Sequence, residues 1–307
     1  MRQGIRGYSD GLLVQVGAGG GTGASRLASE AGAISAVLAG SEDLRRVLSD
    51  PDVTVAARRG VLRDLFSGQV GEEIMRALNF MVDADRPGEF VANVEWLAER
   101  FDAASRQMEP VGDTVLGLKG AEERVDGFAT SILETVDGEH DLSNIEDELF
   151  RFSRVVAGSA ELRGALSNRD YPAPARRGLV RDLLQGKASP ASVALATYLT
   201  KVGRPRDYEG LLARVIDRVA SESNRRLADV RSALALDAAQ ERSLAAALSR
   251  MLGRAVEIRV TVDPSVVAGF VATVGDTVVD GSARHQLEVL KERLVLPEAE
   301  ITTGERH

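Results

Sequence analysis

The chain has 307 residues, and 38 Lys+Arg against 46 Asp+Glu give it a formal charge of −8, which argues against a protein that coats nucleic acid. Zero cysteines exclude disulfides, thiolate metal sites and Cys nucleophiles, and three scattered histidines, His140, His285 and His307, exclude a His-based metal cluster. With 44% hydrophobic and 27% charged residues this is the composition of an ordinary soluble globular protein of two or three domains, and apolar stretches such as Ala191 to Leu199 fall well short of the roughly 20 residues that cross a membrane.

The first predicted helix carries Gly7-Tyr8-Ser9-Asp10-Gly11-Leu12-Leu13. The glycine-rich segment after it, Gly17 to Ser25, could wrap an anion with consecutive N–H groups and serve a nucleotide-binding enzyme through Gly17 to Gly23. It lacks the Lys-Ser/Thr of a P-loop and the spacing of a dinucleotide fingerprint, and helical patterns surround it, so it reads as a polar linker. Leu44, Val47 and Leu48, then Val61, Leu62, Leu65 and Phe66, give the i, i+3, i+4 spacing of amphipathic helices, with breaks at Pro51 and Gly68. Ile74, Leu78 and Met81 follow, and beyond Pro87-Gly88 the set Phe90, Val94, Leu97 and Phe101.

The same order then recurs. Ala39 to Gly68 aligns without a gap on Ala157 to Gly186, 118 residues later, with 16 of 30 positions identical, including Ala57-Arg58-Arg59-Gly60 over Ala175-Arg176-Arg177-Gly178. Upstream, the Gly7 to Leu13 helix matches Gly127-Phe128-Ala129-Thr130-Ser131-Ile132-Leu133 at an offset of 120, so the intervening loop differs by two residues. A unit this long is too large for a solenoid repeat and reads as a duplicated helical domain. Each copy offers five or six short helices, which suits an antiparallel bundle.

After about Arg225 the pattern changes. Leu227 to Leu234 reads as a weak strand, and Asp237 with Gln240 as a capping box opening a helix with Leu244, Leu248, Met251 and Leu252. Ala255 to Val262 alternates as a half-buried strand that Asp263-Pro264 stops; Val266 to Val274 is a further strand, with a Gly275-Asp276 turn into Thr277 to Val279. A last helix starts at Ser282, with Leu287, Leu290 and Leu294 on one face, and Pro297 to His307 is a polar tail. The fold class is therefore mainly α: two tandem six-helix-type bundles, 1–118 and 119–224, a small α/β domain, 225–296, and the tail, 297–307.

Chemical constellations are sparse. The acidic pairs Glu42-Asp43, Glu72-Glu73, Glu122-Glu123 and Asp147-Glu148 point in different directions on a helix and read as solvated faces, and the Arg58-Arg59 and Arg176-Arg177 pairs as exposed charge at loop-to-helix junctions. No nucleophile stands beside a base in a recognisable spacing, which favours a binding or structural role with no cofactor or metal.

The residues become specific in Val262 to Leu294, VDPSVVAGFVATVGDTVVDGSARHQLEVLKERL, which resembles the C-terminal signature of the delta subunits of F-type ATP synthases, the oligomycin-sensitivity-conferring protein family, at Gly269, Gly275, Asp276, Asp280, Gly281, Ser282 and Leu287. The second helical copy resembles the family's N-terminal six-helix domain, and a duplicated helical domain resembles the actinobacterial form. The resemblance implies a non-catalytic stator connector in the peripheral stalk, peripheral at the cytoplasmic face of the plasma membrane and reaching it only through the complex. It implies two partners: the N-terminal helix of the α subunit on the catalytic head, received in a groove, and the C-terminal helices of the b subunit. By motif position the groove candidates are Tyr8, Leu12, Leu13, Phe128, Ile132 and Leu133. A helical adaptor unrelated to ATP synthase is the alternative binding protein.

Overall fold

The computed structural model describes residues 3–17, 22–84, 86–108, 116–136, 139–252, 256–266, 269–274 and 277–281. The chain forms two compact units. One holds both helical copies, residues 1–136 with 142–220, and the other holds the sheet, residues 137–141 with 221–307.

Six α-helices are described in the first copy: α1 Gln3–Gly17, α2 Thr22–Gly40, α3 Glu42–Ser49, α4 Val55–Phe66, α5 Glu72–Ala84 and α6 Phe90–Ser105. The second copy repeats them as α7 Leu118–Leu133, α8 Glu139–Gly158, α9 Ala160–Ser167, α10 Ala173–Leu184, α11 Pro190–Tyr198 and α12 Tyr208–Arg226. Local chemistry sets the same boundaries twice. Ser41 and Ser159 cap α3 and α9, each hydroxyl accepting from the backbone N–H three residues on. Pro87 and Pro205 each open a single 3-10 turn that leads into the last helix.

The repeat extends to packing. Leu48, Leu62, Phe66, Phe90, Val94, Leu97 and Phe101 are buried in the first core, and their counterparts 118 residues later, Leu166, Val180, Leu184, Tyr208, Leu212, Val215 and Val219, are buried in the second. Apolar positions were therefore kept by face while side-chain identity changed, as expected when burial stabilises a helix mainly through its apolar stripe.

The other unit contains a four-stranded sheet in the order β2-β1-β3-β4, with β1 Leu227–Ser232, β2 Glu257–Val262, β3 Phe270–Val274 and β4 Thr277–Asp280. β1 and β2 run parallel, so a crossover must join them, and α13, Ala238–Leu252, supplies it. Asp237 caps α13 as expected: its Oδ1 accepts from the N–H groups of Ala239 and Gln240 at 2.8 Å, and the Gln240 side-chain oxygen accepts from the Asp237 N–H at 2.9 Å. Ala228, Val230, Ala272 and Val274 on the central strands pack with Leu248 of α13, whereas Met251 faces solvent.

β3 starts later than its apolar run suggests. Asp263 Oδ1 accepts from the Ser265 N–H at 2.9 Å and its carbonyl from the Val266 N–H at 3.1 Å, so the chain turns through Val266 and the strand begins at Phe270. The expected Gly275-Asp276 turn and the helix from Ser282 lie outside the described residues.

Candidate functional site

The helical unit is organised around the crossing of α1 and α7, the first helices of the two copies. A Cβ on Gly7 would fall on the Arg124 carbonyl, and a Cβ on Gly127 would fall on the Gly4 carbonyl. At an offset of 120, Gly7 matches Gly127 and Gly4 matches Arg124, so these two contacts are one contact made twice in opposite senses. A Cβ on Gly11 would lie 2.7 Å from the side chain of its own counterpart, Ser131. That is the geometry of an isologous pair, in which residue i meets j and j meets i about a local two-fold. Small residues at a four-residue spacing, Gly7 with Gly11 and Gly127 with Ser131, permit this backbone approach. The spacing was legible in the sequence, but only as part of the repeat.

Aromatic pairs repeat with their hydroxyls exchanged. Tyr8 stacks on Phe80 at 4.4 Å between centroids, and Phe128 on Tyr198 at 3.6 Å, each in the matching place of its copy. The Tyr8 hydroxyl donates to Glu134 of the second copy, and the Tyr198 hydroxyl donates to Asp10 of the first at 2.7 Å.

Asp10 is the charged centre of the crossing and only 3% exposed. Its Oδ1 accepts from Arg100 Nη2 at 3.0 Å and its Oδ2 from Arg124 Nη2 at 3.1 Å, with Lys201 Nζ 3.4 Å away. Burial by itself would raise this carboxyl, but Lys201 and Arg124, with hydrogen bonds from Tyr198 and Arg100, bring it below the ordinary carboxylate value. Burial, then the Asp10 charge, pushes the Tyr198 phenol well up. In the matching place of the second copy Arg218 reaches Thr130 Oγ1 at 3.4 Å, with no carboxylate at that position.

Beside this crossing the second copy carries a surface cavity of about 560 Å³, lined by Val14 of α1, Phe128 of α7, Arg177 and Arg181 of α10, and Val193 and Ala194 of α11 among others. Apolar floor and cationic rim occur together. Counterparts of its α11 lining, Pro190, Val193, Ala194 and Thr197, are Glu72, Met75, Arg76 and Asn79 in the first copy, so three of the four places there are charged or amide side chains. The sheet unit has its own apolar cavity of about 780 Å³, lined by Leu234, Leu236, Leu244, Val266 and Phe270 among others.

Of the six groove candidates, Tyr8 and Leu12 belong to the core of the first copy and Phe128, Ile132 and Leu133 to that of the second, while Leu13 is half-buried. Phe128 is the one of the six that also lines the cavity on the second copy. Gly269 has φ +84°, which only glycine adopts without strain, and its carbonyl accepts from the Ala233 N–H at 3.3 Å. Gly281 lies against the Phe270 ring, where a Cβ would come within 2.9 Å, and donates its N–H to the Phe270 carbonyl at 2.9 Å. Asp280 ends β4, and Gly275, Asp276, Ser282 and Leu287 lie outside the described residues.

The structure corrects the reading of the arginine pairs. Arg58 and Arg176 are buried, not exposed, and Arg176 donates to the carbonyls of Asn168, Tyr171 and Thr200, tying the loop before α10 to the end of α11. Two acidic residues read as solvated are likewise engaged: Glu73 pairs with Arg26 at 2.7 Å, and Glu148 accepts from the Ser189 N–H at 2.9 Å. Glu30 does the same for the Gly71 N–H at 2.9 Å, so in both copies a second-helix carboxylate holds the start of the fifth helix. Sequence spacing could not show these contacts because the partners are 41 residues apart.

Gly17 closes α1 and Thr22 to Ser25 open α2, so helices flank the glycine segment on both sides, and residues 18–21 lie outside the described residues. Among the described residues, no group of three or more His, Cys, Asp or Glu side chains could hold a metal ion, and no helix is long and apolar enough to cross a membrane.

Comparison with known proteins gives one answer. The family model of the ATP synthase delta (OSCP) subunit matches residues 14–119 and 126–294. The chain is 34% identical to the ATP synthase subunit delta of Kineococcus radiotolerans, covering 85% of both chains. It is 33% identical to that of Nocardia farcinica, covering 88% of this chain and 90% of the relative, and 35% identical to that of Acidothermus cellulolyticus, covering 85% of both. A chain of the Toxoplasma gondii mitochondrial ATP synthase hexamer matches at TM-score 0.27 and 18% identity, covering 60% of this chain and 100% of that one, a likeness too slight to build on. The family match spans both helical copies and the sheet, the relatives are similar along most of their length, and this chain belongs to the ATP synthase delta (OSCP) subunit family.

Proposed function

We propose that this delta subunit works as the non-catalytic connector of the peripheral stalk, joining the catalytic head to the b subunit and resisting the torque of the rotor. The helical copies, 1–118 and 119–224, form the head-side element, and residues 225–296 the stalk-side element, with 297–307 as a polar tail. In this reading the chain works peripherally at the cytoplasmic face of the plasma membrane, held there by its partners.

The observation that carries the head-side assignment is the cavity on the second copy. Its apolar floor, Val193, Ala194 and Phe128, fits the apolar stripe of a helix, and its rim of Arg177, Arg181 and Lys201 fits acidic residues on that helix's flank. The first copy keeps an apolar Met75 in the place of Val193 but sets Arg76 in the place of Ala194, with Glu72 and Asn79 in the places of Pro190 and Thr197. In this reading each chain therefore receives one N-terminal helix from the α subunit, on the second copy. On the stalk side, Leu234, Leu244 and Phe270 of the sheet unit offer the apolar surface for the C-terminal helices of the b subunit.

The test is a titration of the purified chain with a peptide of the N-terminal helix of the α subunit. Val193→Asp is expected to weaken binding at least tenfold, a loss of about 1.4 kcal/mol, whereas Met75→Asp at the matching place of the first copy leaves it unchanged. Equal binding by both variants would sink the assignment to the second copy. Deleting residues 225–307 is expected to abolish co-purification with b, and retention of b by the truncated chain would sink the stalk-side assignment.

A further inference from the structure

The crossing of α1 and α7 is built as a two-fold contact, so the close backbone approach at Gly7 and Gly127 could recur between like copies. At Gly11, however, two first copies would meet Gly against Gly and two second copies Ser131 against Ser131, whose side chains would crowd. The charges are not two-fold. Asp10 meets three groups supplied by the second copy: Arg124, Tyr198 and Lys201. Their counterparts in the first copy are Gly4, Phe80 and Asp83. Two first copies brought together would therefore set Asp10 against Gly4, Phe80 and a second carboxylate. Two second copies would set Arg124 and Lys201 against Thr130, which has no charge.

The far end of the crossing shows the same asymmetry with different groups. Tyr8 donates to Glu134, and the counterparts are Phe128 and Val14. Like pairing would face the Tyr8 hydroxyl with Val14 in one case and Glu134 with Phe128 in the other. Both ends thus make their cross-copy contacts when unlike copies meet and lose them when like copies meet. At Asp10, 3% exposed, the loss strips a buried carboxylate of Arg124, Tyr198 and Lys201, a strong penalty against a wrong partner.

We propose that Asp10 with Arg124, supported by Tyr8 with Glu134, forms a recognition code by which the first copy selects the second copy and rejects another first copy, so that a self-complementary face closes within one chain. The surface is a protein–protein interface whose partner is a second copy of the same domain, distinguished by its charges and the hydroxyls that meet them. The closure leaves the cavity on the second copy with Val14 of the first copy in its wall.

The test moves the carboxylate while preserving composition. In the full chain, Asp10→Thr and Gly11→Ser together with Thr130→Asp and Ser131→Gly give the second copy Arg124, a carboxylate at the place that meets it across the two-fold and a glycine at the point of closest approach, and give the first copy none of these. Sedimentation over about a hundredfold range of concentration is expected to show this variant rising toward twice the wild-type mass, because association follows mass action. An unchanged mass profile, with the variant folded, would overturn the code. Should this exchanged variant fail to fold, Asp10→Asn decides. The single tryptophan, Trp96, lies in the first copy, so its fluorescence during urea unfolding is expected to change ahead of the far-UV signal of the whole chain. Fluorescence and far-UV transitions that stay coincident at the wild-type midpoint would equally overturn the proposal.

Discussion

Asp10 and Arg124 stand 114 positions apart in the chain, yet Asp10 Oδ2 accepts from Arg124 Nη2 at 3.1 Å, with both side chains no more than 7% exposed. One residue belongs to each helical copy, so the pair marks where duplication became a single packed unit. Around it the carboxylate receives hydrogen bonds from Arg100 and Tyr198, which leaves Asp10 fully engaged. A buried anion held this way stabilises only while every partner remains.

Removing the carboxylate takes from the buried Arg124 and from Lys201 the ion pairs they make with Asp10. Asp10→Ala is therefore expected to lower stability by about 3–5 kcal/mol, the range for breaking one side of a buried ion pair. Urea unfolding followed by circular dichroism measures it, and a loss under about 1 kcal/mol would assign the site to the class of weak surface pairs.

The pH dependence follows from the direction of the Asp10 shift. Its carboxyl titrates lower in the folded chain than in the unfolded one, so the unfolded state binds the proton more readily as the solution is acidified. The stability it contributes is complete above the ordinary carboxylate value of about 4, and disappears as pH falls through the folded value. Thermal melts between about pH 6 and pH 3 are expected to show a steeper loss for the wild type than for Asp10→Asn. Parallel curves would contradict the shift.

Glycines in the two helical copies divide into two groups. Gly7→Ala is expected to destabilise by about 3 kcal/mol or more, because the added methyl meets backbone that cannot move aside. Gly60→Ala, in α4 with open space where the methyl would go, is expected to stabilise by about 0.5–1 kcal/mol through helix propensity. Melting temperatures of the two variants should therefore move in opposite directions.

Two buried tyrosines offer an internal comparison. Tyr198→Phe removes a hydrogen bond to a carboxylate and is expected to cost about 1.5–3 kcal/mol, whereas Tyr208→Phe removes one to the Ala196 carbonyl, 3.1 Å away, and about 1 kcal/mol. Equal losses in chemical denaturation would mean that the Asp10 cluster adds nothing to the Tyr198 bond.

The repeat, the helical class, the Asp237-Gln240 cap and the strands of the sheet unit could all be read along the chain, because periodicity, capping and turn chemistry act over a few residues. So could the family, through positions such as Gly269 and Gly281, whose positive φ and ring contact only the folded chain makes plain. What the duplication builds emerged on packing. Helical period buried Leu12 and Ile132 in their own bundles, but the same period is silent on whether α1 meets α7, since that contact rests on absent side chains at Gly7 and Gly127. The charges that make the two copies unlike, Asp10, Arg124 and Lys201, are scattered along the chain, and no spacing in the sequence joins them. Coulombic and hydrogen-bond energies depend on distance and burial, and both are set only when the helices pack.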